Sequence, residues 1–115
     1  MQDAVIDSWS SKIGKHVIEV GKPVFYALEK GLRSKAKGVS RDSLIAVAWI
    51  GFEISKFPHS LRYSACEILL NGIEQFLHPG LEFEERLLAC LCIYNYASGR
   101  GNMNAKAALN VHYHF

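Results

Sequence analysis

Apolar residues recur at intervals of three or four along most of the chain, and this spacing places side chains on one face of an α-helix. Polar and charged residues fill the positions between them. The pattern predicts five helices, at about Asp3–Val20, Pro23–Lys30, Ser40–Ser55, Ser60–Leu77 and Glu82–Ser98. We expect Gly21, Gly31 and Gly99 to end the first, second and fifth of them, because glycine readily adopts the left-handed conformation that closes a helix.

The predicted third helix differs from the others because it is apolar almost all round. Its segment from Leu44 to Phe52 reads LIAVAWIGF, which is typical of a helix covered on several sides. A bilayer-spanning helix needs about 20 apolar residues. This segment is much shorter, so we interpret it as a core helix and predict no membrane contact. Glycine within a helix costs about 1 kcal/mol relative to alanine, and we therefore expect another helix to approach Gly51 closely.

The spacing of the predicted helices suggests how they pack. The third, fourth and fifth begin about 20 residues apart with short turns between them, so consecutive helices should be antiparallel. Two such helices span about 40 residues, the period of armadillo and HEAT repeats. The predicted fold is all-α, an armadillo/HEAT-like α-solenoid fragment of about five helices in residues 1–99, followed by an irregular tail in residues 100–115. Without a residue-level repeat, a closed helical bundle is the alternative.

Charge is small overall but unevenly distributed. The formal net charge is +2, yet residues 30–41 hold five cations and no acid. These cations are the candidate partner-binding residues: Lys30, Arg33, Lys35, Lys37 and Arg41. Most of them fall in a predicted loop at residues 32–40 that could contact an acidic protein groove, phosphate or RNA, or could simply be solvated. Nucleic acid is disfavoured, because no aromatic residue is interleaved to stack on bases and the chain is not strongly basic.

We find no pattern that predicts catalytic, cofactor-binding or metal-binding residues. Cys66, Cys90 and Cys92 lack C-x-x-C spacing and lie in apolar helical segments, so we interpret them as reduced core thiols of an intracellular protein, cytoplasmic or nuclear. His112 and His114 would supply only two ligands, fewer than a structural metal site needs. The glutamates at the start of the fifth helix are explained by the helix dipole.

Three segments carry a resemblance to a known family. They are KPVFYALEKGLRSKAKGVSRDSL, AVAWIGFEISKFP and SLRYSACEILLNGIEQFLHPGLEFEERLLACLCIYNYASG. They resemble the plant Cerberus/LIN-type ubiquitin ligases over about Trp9 to Gly99. Those proteins combine a U-box-type module, armadillo-like helical repeats and WD40 repeats, and this chain is similar to the helical part. The tail departs from the family pattern, so we expect a piece of a longer protein.

The resemblance implies a protein-interaction scaffold within an E3 ubiquitin-protein ligase, without catalytic chemistry of its own. Ligase activity would belong to the full-length relatives. The implied partners are proteins, either a ubiquitination substrate or other ligase components, together with self-association through exposed solenoid ends. The alternative is a free-standing helical adaptor that binds an acidic protein or RNA through residues 30–41.

Overall fold

The computed structural model describes residues 12–100, and all regular structure in that range is helical. Helix α1 occupies residues 12–20 of the described range. The next four helices are α2 (Lys22–Leu32), α3 (Lys37–Gly51), α4 (His59–Ile73) and α5 (Phe83–Ser98). Two 3-10 turns, Ile54–Lys56 and Glu74–Leu77, extend α3 and α4. The start of the predicted first helix and the predicted tail lie outside the described residues.

The connection between α2 and α3 is shorter than the predicted loop. Helix α3 begins at Lys37, with Ala36 as its extended N-cap residue, which is three residues before the predicted start at Ser40. The Ser40 hydroxyl instead donates to the Lys37 carbonyl within the first turn, at 3.1 Å. In the turn itself, the Ser34 hydroxyl accepts the backbone N–H of Ala36 at 3.2 Å. The connection is thus four residues long, with Arg33 and Lys37 at helix ends and Lys35 in the turn between them.

The predictions for four glycines have different outcomes. Gly21 and Gly99 follow their helices with φ of 80° and 71°, as expected. The prediction for Gly31 was wrong, because this residue lies inside α2, where a Cβ would overlap the hydroxyl of Ser43 on α3. Gly51 confirms the expected close approach, since a Cβ there would stand 3.2 Å from Cε2 of Tyr96 on α5. Glycine therefore allows α2 to meet α3 and α3 to meet α5.

The helices stack as two antiparallel hairpins, α2–α3 and α4–α5. Helix α2 packs mainly on α4 and α3 packs mainly on α5, whereas α3 and α4 share no extensive contact although they follow each other in the chain. A closed up-and-down bundle would instead pack α3 against α4. In an α-solenoid, the first helix of one hairpin packs on the first helix of the next, and the second helix packs on the second. The observed packing has this arrangement, so it confirms the predicted solenoid over the closed bundle.

Helices α3 and α5 run in the same direction. Near their starts, Nζ of Lys37 lies 3.9 Å from Oε1 of Glu82. Towards their ends, the Tyr96 hydroxyl donates to the Val47 carbonyl at 2.8 Å, in a fully buried position. This bond ties the second hairpin to the first across the core.

Burial reveals a repeat that the amino-acid sequence hides. Several buried positions of the first hairpin have a buried counterpart 41 residues later in the second: Leu32 and Ile73, Val47 and Leu88, Ala48 and Ala89. This interval is close to the period of about 40 residues expected from helix spacing. The two hairpins are thus successive units of one stack with a shared hydrophobic core.

Candidate protein-interaction surface

The five predicted partner-binding cations lie at one end of the α2–α3 hairpin. We call this set the basic corner: Lys30, Arg33, Lys35, Lys37 and Arg41. Lys30 is in the last turn of α2 and Arg33 is the residue that caps it. Lys35 lies in the turn, Lys37 opens α3, and Arg41 follows one turn later. The chain reversal brings both helix ends to the same side of the molecule.

The structure separates these cations by their surroundings. Arg33 forms an ion pair with Glu29 on its own helix, and Lys37 lies near Glu82 of α5. Arg41 is half-buried and interacts within the protein. Lys30 and Lys35 are exposed and form no ion pair within residues 12–100. Their ammonium groups are therefore the most available charges of the basic corner.

A shallow depression opens beside Lys30 and Arg33, with a volume of about 760 Å³. Its lining comes from the end of α2 and the start of α3: Ala27, Glu29, Lys30, Gly31, Arg33, Ser34 and Val39. Val39 is 49% exposed, so an apolar side chain stands uncovered among cations. Sequence reasoning missed Val39 because residues 32–40 were assigned to a loop, where no helical face could be defined. A start of α3 at Lys37 would have placed it on the outer face.

Helix termini add to the positive potential of this surface. The first turn of α3 contains no acidic residue and no side-chain cap, so the partial positive charge of its N-terminus is not offset within the helix. Lys37 adds a full positive charge there. At the end of α2, Lys30 instead faces the partial negative charge of a C-terminus, which is favourable. The N-terminus of α3 therefore adds partial positive charge to the corner, although Glu82 lies near Lys37.

The cysteines differ in exposure. Burial raises the pKa of Cys92 far above its ordinary value, and the neighbouring Cys90 raises it further. Burial also raises the pKa of Cys66, although Arg62 opposes this. Both thiols stay protonated at neutral pH, as expected for core cysteines. Cys90 was wrongly placed in the core, because it lies exposed on the outer face of α5.

Metal binding and membrane crossing find no support in residues 12–100. Within residues 12–100, no three His, Cys, Asp or Glu side chains are grouped in a way that could hold a metal ion. No helix in that range combines the length and apolarity needed to cross a membrane. His112 and His114 fall outside the described residues.

Comparison with known proteins supplies the family. A family model described as "Putative E3 ubiquitin-protein ligase LIN, ARM-like domain" matches residues 1–112, nearly the whole chain. No curated protein and no solved structure shows detectable similarity to the chain. The stacked hairpins agree with the armadillo-like description, and the match confirms the resemblance found in the sequence. The chain belongs to the family of the ARM-like domain of the E3 ubiquitin-protein ligase LIN.

Proposed function

We propose that this chain is a protein-interaction scaffold of an E3 ubiquitin ligase, which holds a substrate or another ligase component through the basic corner. Membership of the LIN family supports the connection to ubiquitin ligases. The observation that carries the binding role is the exposed end of the α2–α3 hairpin, where two lysines with no ion pair in the described part of the chain stand beside a depression with an uncovered apolar side chain. Ala27 and Gly31 line the same depression as Val39, and an apolar surface rimmed by polar residues is typical of a protein-binding site.

The contribution of the scaffold to ubiquitin transfer would be positional. Holding two reactants on one rigid framework raises their effective concentration without any new chemistry. In the plant relatives that the sequence resembles, the helical region shares a chain with a U-box-type module and WD40 repeats. We assign the ubiquitin-transfer step to such a module and substrate capture to the helical stack. We expect both to take place in the cytoplasm or nucleus.

Family membership favours this proposal over a free-standing adaptor. Binding of RNA by the basic corner also lacks support, because no aromatic side chain lines the depression. Base stacking on aromatic residues supplies much of the affinity of proteins for single-stranded nucleic acid.

Affinity purification with the full chain as bait tests the scaffold role. Three baits are compared: the unchanged chain, a Lys30→Glu/Lys35→Glu variant, and a Lys12→Glu/Lys15→Glu control that makes the same charge change on exposed positions of α1. We expect the unchanged and control baits to recover ubiquitin-conjugation proteins or ubiquitinated substrates, and the corner variant to recover fewer.

Two results would contradict the proposal. The first is recovery that is the same with all three baits, which would remove the basic corner from the binding surface. The second is formation of ubiquitin conjugates by the purified 115-residue chain together with only activating enzyme, conjugating enzyme and ubiquitin, since a scaffold without transfer chemistry should form none.

A further inference from the structure

We propose that the depression at the basic corner binds an acidic peptide segment of a partner protein, in which carboxylates flank one apolar side chain. This inference rests on the proposed function in one respect, namely that the partner is a protein. It adds the chemistry of the recognised segment and assigns a role to Val39.

Charge complementarity argues for carboxylates. Lys30 lines the depression and Lys35 lies in the adjoining turn, and neither is neutralised by an acid within residues 12–100. Arg33 donates through Nε to Glu29, and its terminal amino groups make no hydrogen bond to the described part of the chain. Guanidinium groups bind carboxylates through two parallel N–H donors. Arg33 can therefore bind a second carboxylate while Glu29 holds the Arg33 side chain in place.

The Glu29 carboxylate also limits what can bind. It lies in the lining itself and repels a dense row of negative charges such as a nucleic-acid backbone. A peptide with spaced carboxylates can place them on Lys30 and Arg33 and avoid Glu29. The arrangement therefore selects moderately acidic segments over polyanions.

The floor of the depression argues for an apolar residue between the carboxylates. Ala27, Gly31 and Val39 present no polar side-chain atom, and about half of Val39 is open to solvent. An apolar side chain of the peptide that covered this surface would remove apolar area of the peptide and of the protein from water, which favours binding. The volume of about 760 Å³ is large enough for several residues of extended peptide.

Fluorescence anisotropy on the full chain tests the inference directly. The probe is a labelled nonapeptide with one leucine between runs of alternating glutamate and serine, and a matched peptide replaces leucine by serine. A labelled ten-nucleotide uridine RNA is the third probe. We expect the leucine peptide to bind most tightly, with weaker binding as salt increases.

Variants separate the two parts of the site. Lys30→Glu/Lys35→Glu should weaken binding of the leucine peptide roughly tenfold, because each exposed charge contact contributes modestly and reversal makes it repulsive. Val39→Ser should weaken it about fivefold and should not affect the serine peptide. The Lys12→Glu/Lys15→Glu control should stay within about twofold of the unchanged chain. All these positions are exposed, and circular dichroism of each variant verifies its helical content.

The contradicting results are specific. Equal affinity for RNA and the leucine peptide, with no effect of Val39→Ser, would show a general anion-binding surface and overturn the inference. Failure of the unchanged chain to bind the leucine peptide would also overturn it. Neither result affects the scaffold role itself, which the affinity purification tests independently through recovery of ubiquitin-conjugation proteins.

Discussion

The replacement Gly51→Val tests the closest approach between the two stacked hairpins. Gly51 is the last residue of α3 and is buried against α5. Even a single Cβ at this position would lie 3.2 Å from Cε2 of Tyr96 and 3.5 Å from Cβ of Asn95. Valine adds two further methyl groups to that space, so either the ring or the helix must move.

The surrounding structure leaves little room for such a movement. Tyr96 is 1% exposed and its hydroxyl is held by the Val47 carbonyl at 2.8 Å. Overpacking of a well-filled core typically costs 1–3 kcal/mol, and we expect Gly51→Val to lower the free energy of unfolding by about 2 kcal/mol. For a domain of this size, that loss corresponds to a Tm lower by about 8 °C.

Gly38→Val is the matched control because it makes the same change near the start of the same helix. Apart from the chain neighbours and the backbone of the same helix, no atom of residues 12–100 lies within 4 Å of a Cβ added at Gly38. The control should change the free energy of unfolding by less than about 0.5 kcal/mol, on the stabilising side, since valine restricts the unfolded chain more than glycine does. Urea unfolding followed by circular dichroism at 222 nm measures both variants. Equal urea midpoints for the two variants would refute the close approach of α3 and α5.

Three further predictions concern the same interface and the outer face of α5. Tyr96→Phe should lower the free energy of unfolding by about 1 kcal/mol through loss of a buried hydrogen bond, whereas Tyr63→Phe at a 69% exposed position should leave the urea midpoint unchanged. Asn95→Leu should raise the free energy of unfolding by roughly 1 kcal/mol, because both polar atoms of this buried amide lack a hydrogen-bond partner within residues 12–100; a lower urea midpoint would show that the amide is satisfied in solution. Phe83→Lys should reduce self-association in sedimentation velocity, since Phe83 is 65% exposed on an apolar face, while Tyr63→Lys should not; a chain that stays monomeric at high concentration would contradict this expectation.

Helical periodicity predicted the fold class because it reports burial directly. The fourth and fifth helices have nearly the predicted bounds, and Gly51 correctly indicated a close contact. Helix ends were less predictable. Ser40 and Gly31 are typical capping residues, yet α3 extends three residues before Ser40 and α2 continues through Gly31. In both cases packing of α2 against α3 outweighed the local preference for a cap.

The repeat could not be predicted from the residues because equivalent positions carry different side chains. Leu44 corresponds to the buried Glu85, and Gly51 corresponds to Cys92, at the same interval of 41 residues. Burial is conserved between the hairpins at these positions, whereas chemistry is not. Only the packing of helix on helix shows the repeat.

The candidate site was predictable in its charges and not in its shape. A run of cations without acids is visible in the sequence, and the structure places all five at one end of a hairpin. The pairing of Lys37 with Glu82 depends on stacking between hairpins, which no local pattern reports. The exposure of Val39 likewise depends on where α3 begins. The division of the chain at residue 99 stays a prediction.

A nuclear Overhauser spectrum of the isotopically labelled full chain tests the stacked arrangement most directly. A Cβ added at Gly72 would lie 3.0 Å from Cδ1 of Leu32, and one added at Gly51 would touch the Tyr96 ring. Stacked hairpins should give cross-peaks between the Leu32 methyl protons and the α-protons of Gly72, and between the Tyr96 ring protons and the α-protons of Gly51. Absence of both, with cross-peaks along the length of α3 and α4 instead, would show a closed bundle and contradict the solenoid.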